Sequence, residues 1–128
     1  MEIKLVIVDD APFIRDVLRH IFTNTEIQVV GEAQDGEQAL AVVKQTRPHV
    51  VLMDIVMPKM SGIEATQEIL KSDPNVRIVA CSTVDQSGMV LRAIDAGCCN
   101  FIVKPFTSED VLKAVRNAVK SNTKEARQ

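Results

Sequence analysis

Val50-Val51-Leu52-Met53-Asp54 is an unbroken apolar run that closes on a carboxylate. A strand with one solvated face alternates apolar and polar residues, whereas a strand covered on both faces reads as a continuous apolar run. Three other segments end in the same way. Ile3–Val8 runs into Asp9-Asp10, Arg77-Ile78-Val79-Ala80-Cys81 into Ser82, and Phe101-Ile102-Val103 into Lys104-Pro105. Read as parallel strands, these runs bring their carboxyl ends to one edge of one sheet. Three carboxylates, a hydroxyl and an ammonium then converge on a single spot.

Between the runs lie segments with helical periodicity, so strand and helix alternate five times, the pattern of βαβ units with helices on both faces of a parallel sheet. The first strand, about Ile3–Val8, is followed by a helix with Pro12 in its first turn, where proline is tolerated. Ile14, Val17, Leu18, Ile21 and Phe22 keep that helix's apolar spacing. A second strand is expected over about Gln28–Ala33 and a second helix over about Glu37–Gln45, stopped before Arg47-Pro48. The third strand is Val50–Met53 and the third helix about Gly62–Ser72, ending at Asp73-Pro74. The fourth strand is about Arg77–Cys81, the fourth helix about Gln86–Ala96 with Gly97 as its stop. Asn100–Val103 is the fifth strand. The last helix opens at Thr107, with Asp110 completing a capping box and Val111, Leu112, Val115, Ala118 and Val119 on its inner face. One domain over residues 3–120 is followed by a polar tail, 121–128.

Composition removes several classes of function. A net charge of −2 gives no field that would draw nucleic acid or an anionic membrane. With four Phe and no Trp or Tyr, there is no platform for stacking bases, so no direct nucleic-acid partner is expected. No apolar stretch reaches the roughly 20 residues of a membrane span, which argues against membrane insertion. Met1-Glu2-Ile3-Lys4 enters a strand directly without signal-peptide architecture, so a cytoplasmic location is expected. Cys81, Cys98 and Cys99 are odd in number and sit in apolar segments, as reduced packing residues do.

Open parallel sheets bind ligands beyond the carboxyl ends of their strands, where strand order reverses. Asp9, Asp10 and Asp54 all fall there. Clustered carboxylates repel one another and resist ionisation unless a cation is present. Mg2+ meets that need, because it takes oxygen ligands and commonly uses one or two carboxylates together with phosphate oxygens. An aspartate can itself act as a nucleophile toward a phosphoryl group, and Lys104 could stabilise the charge that is transferred. Each residue alone also fits a structural role: Asp9-Asp10 as charge before a helix, Ser82 as a helix cap, Lys104 as a surface lysine. Asp54 is harder to dismiss, since a carboxylate closing a buried strand is costly without a partner. Pro105, directly after Lys104, marks a peptide bond able to adopt the cis geometry.

Val8-Asp9-Asp10, Asp54-Ile55-Val56-Met57-Pro58-Lys59-Met60-Ser61-Gly62, Ala80-Cys81-Ser82, Ala96-Gly97 and Lys104-Pro105-Phe106 together resemble the receiver domain of bacterial two-component response regulators, over about residues 3 to 120. The resemblance implies a five-stranded, doubly wound, flavodoxin-like sheet ordered 2-1-3-4-5 with five helices. It further implies that Asp54 accepts a phosphoryl group from a sensor histidine kinase. Asp10 and the backbone carbonyl of Val56 would join Asp54 in ligating Mg2+, with Asp9 acting through the metal's water shell. Lys104 would pair with the phosphoryl, Ser82 would hydrogen-bond it, and Phe101 holds the place of the switch aromatic. Phe101 lacks the hydroxyl of the tyrosine in many relatives. Val56 and Val84, at positions that flank the attacking water in the family, are apolar, which points to slow self-dephosphorylation.

The leading expectation is a stand-alone, chemotaxis-type receiver. It would catalyse only its own phosphotransfer and dephosphorylation, and would signal through the face formed by the fourth helix, fifth strand and fifth helix to a downstream protein. An isolated receiver of a longer DNA-binding or enzymatic regulator is the alternative. An aspartate-dependent phosphatase of the haloacid dehalogenase type needs a second carboxylate two residues after its nucleophile, and Val56 stands there. A flavin site fails because Asp9-Asp10-Ala11-Pro12 occupies the place of a phosphate-binding loop.

Overall fold

Among the described residues ten elements alternate: β1 (Ile3–Val8), α1 (Pro12–Phe22), β2 (Ile27–Ala33), α2 (Gly36–Thr46), β3 (Val50–Asp54), α3 (Gly62–Ser72), β4 (Arg77–Thr83), α4 (Ser87–Ala96), β5 (Asn100–Lys104) and α5 (Ser108–Lys120). The computed structural model describes residues 2–57, 59–83 and 87–120. All strands are parallel in one sheet ordered β2-β1-β3-β4-β5, the doubly wound order expected. Strand order reverses between β1 and β3, and the crevice at their carboxyl ends is where such sheets take ligands.

Successive strand residues point to opposite faces, and both faces are covered. Val6, Val8, Val51, Met53, Ile78 and Ala80 pack under α2, α3 and α4, with Ala39, Val43, Ile63, Ala65, Ile69, Val90 and Ala93. Leu5, Ile7, Val50, Leu52, Val79 and Cys81 pack against α1 and α5, with Leu18, Phe22, Val111, Val115 and Ala118. All five residues of β3 are buried, which is why its sequence shows no alternation. All three cysteines are free, in accord with their packing role.

The ends of the elements depart from expectation in small ways. β4 continues two residues beyond Cys81, because Ser82 and Thr83 pair with Val103 and Lys104 of β5. Ser82 therefore lies inside β4, one residue before its end at Thr83, and not in a helix cap. β2 starts at Ile27, one residue earlier than expected. α2 opens at Gly36 because Asp35 caps it, accepting from the Gln38 N–H, and it ends with Arg47 at φ 49. Gly97 has φ 120 and closes α4 through the 3.0 Å bond from its N–H to the Ile94 carbonyl. At α5 the capping box is made in both directions, Asp110 N–H to Thr107 Oγ1 and Thr107 N–H to Asp110 Oδ2. Gln86 and the tail 121–128 lie outside the described residues.

Candidate phosphoryl and metal site

β1 and β3 are neighbours, so Asp9, one residue past Val8, and Asp54, at the end of β3, arrive at the same edge. Carboxylate oxygens of Asp9, Asp10 and Asp54 all lie within 4.8 Å of one another. Lys104, at the end of β5, reaches across them. Its Nζ is 2.9 Å from Asp9 Oδ2 and 3.5 Å from Asp54 Oδ2. The Lys104–Pro105 peptide bond is cis.

The three carboxylates are held differently. Asp9 is buried, and both its oxygens are engaged: Oδ1 accepts from the Ala11 N–H at 2.9 Å and Oδ2 accepts from Lys104. Asp54 is also buried; its Oδ1 accepts from the Val56 N–H at 3.1 Å. Asp10 is exposed and makes no hydrogen bond among the described residues. Burial pushes the Asp54 carboxyl up to about 6, against the pull of Lys104 and the Val56 amide and with help from the Asp9 and Asp10 charges. Burial also disfavours the charged form of Lys104, but the hydrogen bond to Asp9 and the Asp54 and Asp9 charges outweigh it and raise its pKa. The site therefore holds an excess of negative charge that one ammonium does not neutralise.

Ser82 is 1% exposed, and its Oγ has no hydrogen-bond partner among the described residues. An unmade hydrogen bond at a buried hydroxyl costs about 1–3 kcal/mol, so this group is at odds with a purely structural role. A hard cation fits the donor set, which is all oxygen, carboxylate-rich and short of positive charge. An oxygen-rich anionic group fits the unpartnered hydroxyl and the lysine.

The remaining residues are placed as follows. Val56 is 45% exposed at the rim of the site, and Phe101 is 41% exposed on β5. Val84 lies outside the described residues. Gly62 is a close approach: a Cβ added there would sit 2.1 Å from the Asp54 carbonyl oxygen, so α3 begins against the backbone of the acidic strand end. Arg15 was not singled out from the sequence. It is one polar residue on an amphipathic helix, and spacing does not distinguish it from Asp16 or Arg19, yet its Nη1 donates to the carbonyl of Asp9 at 2.6 Å.

Comparison with known proteins agrees with this geometry. A family model described as the response regulator receiver domain matches residues 5–116. The chemotaxis protein CheY of Thermotoga maritima is 45% identical over 117 residues, covering 91% of this chain and 98% of that protein. Among solved structures, the response regulator domain of Thermotoga maritima CheB superposes with a TM-score of 0.87 at 32% identity, covering 95% of this chain and 99% of that one. A chain of the CheX–CheY–BeF3–Mg2+ complex from Borrelia burgdorferi gives a TM-score of 0.86 at 33% identity, covering 94% of this chain and 90% of that one. Sheet order, acidic strand ends and sequence likeness agree over nearly the whole described chain, and the protein belongs to the response regulator receiver domain family as a CheY-like member.

Proposed function

We propose that Asp54 is the phosphoacceptor of a Mg2+-dependent switch, and that the protein catalyses nothing beyond its own phosphotransfer and dephosphorylation. The observation that carries this is the convergence of Asp9, Asp10 and Asp54 within 4.8 Å at the strand ends, with the Ser82 hydroxyl on the neighbouring strand buried and without a partner among the described residues. In the forward step an Asp54 carboxylate oxygen bonds to phosphorus as the P–N bond of a kinase phosphohistidine breaks, the imidazole leaving with the electron pair. When bound, Mg2+ supplies positive charge that offsets the carboxylates and the phosphoryl oxygens.

Asp10 and Asp54 would hold the ion directly, with the Val56 carbonyl. The Asp10 carboxylate, exposed and without a hydrogen bond among the described residues, supports that assignment. Asp9, both of whose oxygens are already engaged, suits a water-mediated role. Lys104, 3.5 Å from Asp54 Oδ2, would exchange that carboxylate for a phosphoryl oxygen, and Ser82 would donate to one. Drawing Ser82 toward the phosphoryl would move the end of β4, and Phe101 lies on the neighbouring strand, opposite Ala80. Leu91, Ile94 and Phe101 are exposed apolar residues on α4 and β5, and they support a downstream protein partner on the α4–β5–α5 face.

No helix of the described residues is long and apolar enough to cross a membrane. Together with the chemotaxis relatives this supports a cytoplasmic receiver, residues 3–120 with the tail 121–128, served by a sensor histidine kinase. The likeness to the CheB response regulator domain supports a second reading, in which the same unit belongs to a longer regulator.

The test is incubation with acetyl phosphate, with and without Mg2+, followed by intact mass measurement. One phosphoryl group is expected on the wild type only with the metal, and none on Asp54→Asn. Equal uptake by Asp54→Asn would refute the assignment.

A further inference from the structure

α1 begins after Ala11 without a side-chain cap, so the turn carrying Asp9 and Asp10 is not fixed in the usual way. Arg15 braces it, alongside the bond from the Ala11 N–H to Asp9 Oδ1. Its Nη1 donates to the Asp9 carbonyl at 2.6 Å, while Nε donates to Glu32 Oε1 at 3.2 Å. Glu32 stands on β2, paired with Ile7 of β1, so the guanidinium ties the turn to the sheet. The other oxygen of Glu32 takes Arg19 Nε at 3.1 Å, and Arg19 pairs with Asp16. Side-chain exposure falls from 63% at Asp16 to 17% at Arg15, so the chain of charges runs inward from solvent and ends on Asp9.

We propose that Arg15 is a positioning residue, anchored by Glu32, that sets the β1–α1 turn so that Asp9 and Asp10 face Asp54 before a divalent cation binds. The inference rests on the metal-binding reading above. With the Ala33 carbonyl accepting its N–H, Lys104 and the Ala11 N–H on its carboxylate, and Arg15 on its carbonyl, Asp9 is held at every polar atom. Among these, Arg15 is the side chain that can be removed without taking a charge from the carboxylate–lysine cluster itself. The task needs a guanidinium, whose planar fork serves a carbonyl and a carboxylate at once; an ammonium on a flexible stem has no such fixed geometry.

The sign of the effect separates positioning from electrostatics. Deleting a nearby cation would, by charge alone, tighten Mg2+ binding. Loss of positioning weakens it.

The experiment is calorimetric titration of Mg2+ into wild type, Arg15→Ala and Arg15→Lys, with Asp10→Ala as the reference for loss of a ligand. Ala11 amide hydrogen exchange is measured alongside in the metal-free proteins. Arg15→Ala is expected to bind about tenfold more weakly, near the low end of what loss of an outer partner does to a metal site. Arg15→Lys should follow it despite keeping the charge. Ala11 exchange should accelerate in both while the amides inside β1 stay protected. Wild-type affinity or tighter binding in Arg15→Ala would overturn the proposal, as would full rescue by lysine. If Arg15→Ala fails to fold, the lysine variant decides. Absence of Mg2+ binding by the wild type would sink the metal reading instead, and unchanged Ala11 exchange would then still overturn the positioning role.

Discussion

Replacing Asp54 with asparagine should stabilise the metal-free protein at neutral pH, although it abolishes the proposed phosphorylation. Asp54 is 6% exposed and carries a carboxyl pushed up to about 6, mainly by burial. In the unfolded chain it ionises near the ordinary value of about 3.9. The native state therefore holds its proton to higher pH than the unfolded state does, and stability falls as pH rises between the two values. At about 1.4 kcal/mol per unit the full cost approaches ~3 kcal/mol. Relaxation of the surrounding groups around the buried charge reduces this to about 2 kcal/mol. Asparagine keeps the shape and can still accept from the Val56 N–H, but carries no charge to desolvate. At roughly 4 °C per kcal/mol for a chain of this length, Tm should rise by about 8 °C at pH 7.5 in EDTA. At pH 4.5 most of the wild-type carboxyl is already protonated in the native state, and the gain should shrink to about a third. Without Trp or Tyr, far-UV circular dichroism is the appropriate probe. An Asp54→Asn protein no more stable than wild type at pH 7.5, or a gain that is the same at both pH values, would refute the reasoning.

Lys104→Ala should fold and should bind Mg2+ at least as tightly as wild type, because it removes a cation 2.9 Å from Asp9 and 3.5 Å from Asp54. Its phosphorylated form, however, should lack the spectral change of the wild type, which NMR of the α4–β5–α5 face would detect. Gly62→Ala should cost more than 2 kcal/mol in urea unfolding and slow phosphorylation from acetyl phosphate, since the new Cβ would meet the Asp54 carbonyl at 2.1 Å, where only backbone can yield. Thr107→Ala should cost about 1 kcal/mol through loss of the α5 cap, with phosphorylation unchanged. The acyl phosphate should persist for minutes at neutral pH, because Val56 can exclude a water from the rim but cannot orient it; Val56→Asn should shorten the lifetime, read as phosphate release after removal of the donor.

The order of elements, the two-faced burial of β3 and the identity of the acidic strand ends were legible in the chain. Each is written locally: a run without alternation, a helical period, a carboxylate at the place where the run stops. Pro12, Gly97 and the Thr107–Asp110 box likewise act through their own backbone neighbours. What the tertiary structure decided is how those ends meet. Local sequence contains no information on which oxygen is already spent; the fold shows Asp9 held by Lys104 and Ala11, while Asp10 makes no hydrogen bond among the described residues. The extension of β4 through Ser82 and Thr83 depends on pairing with a strand about twenty residues later, and the Ser82 hydroxyl is buried there without a partner among the described residues. Arg15 gained its position from β2, through Glu32, a contact between elements that no periodicity could specify. Local pattern fixes which residues stand at the strand ends, whereas burial and long-range pairing fix their charge states and their partners.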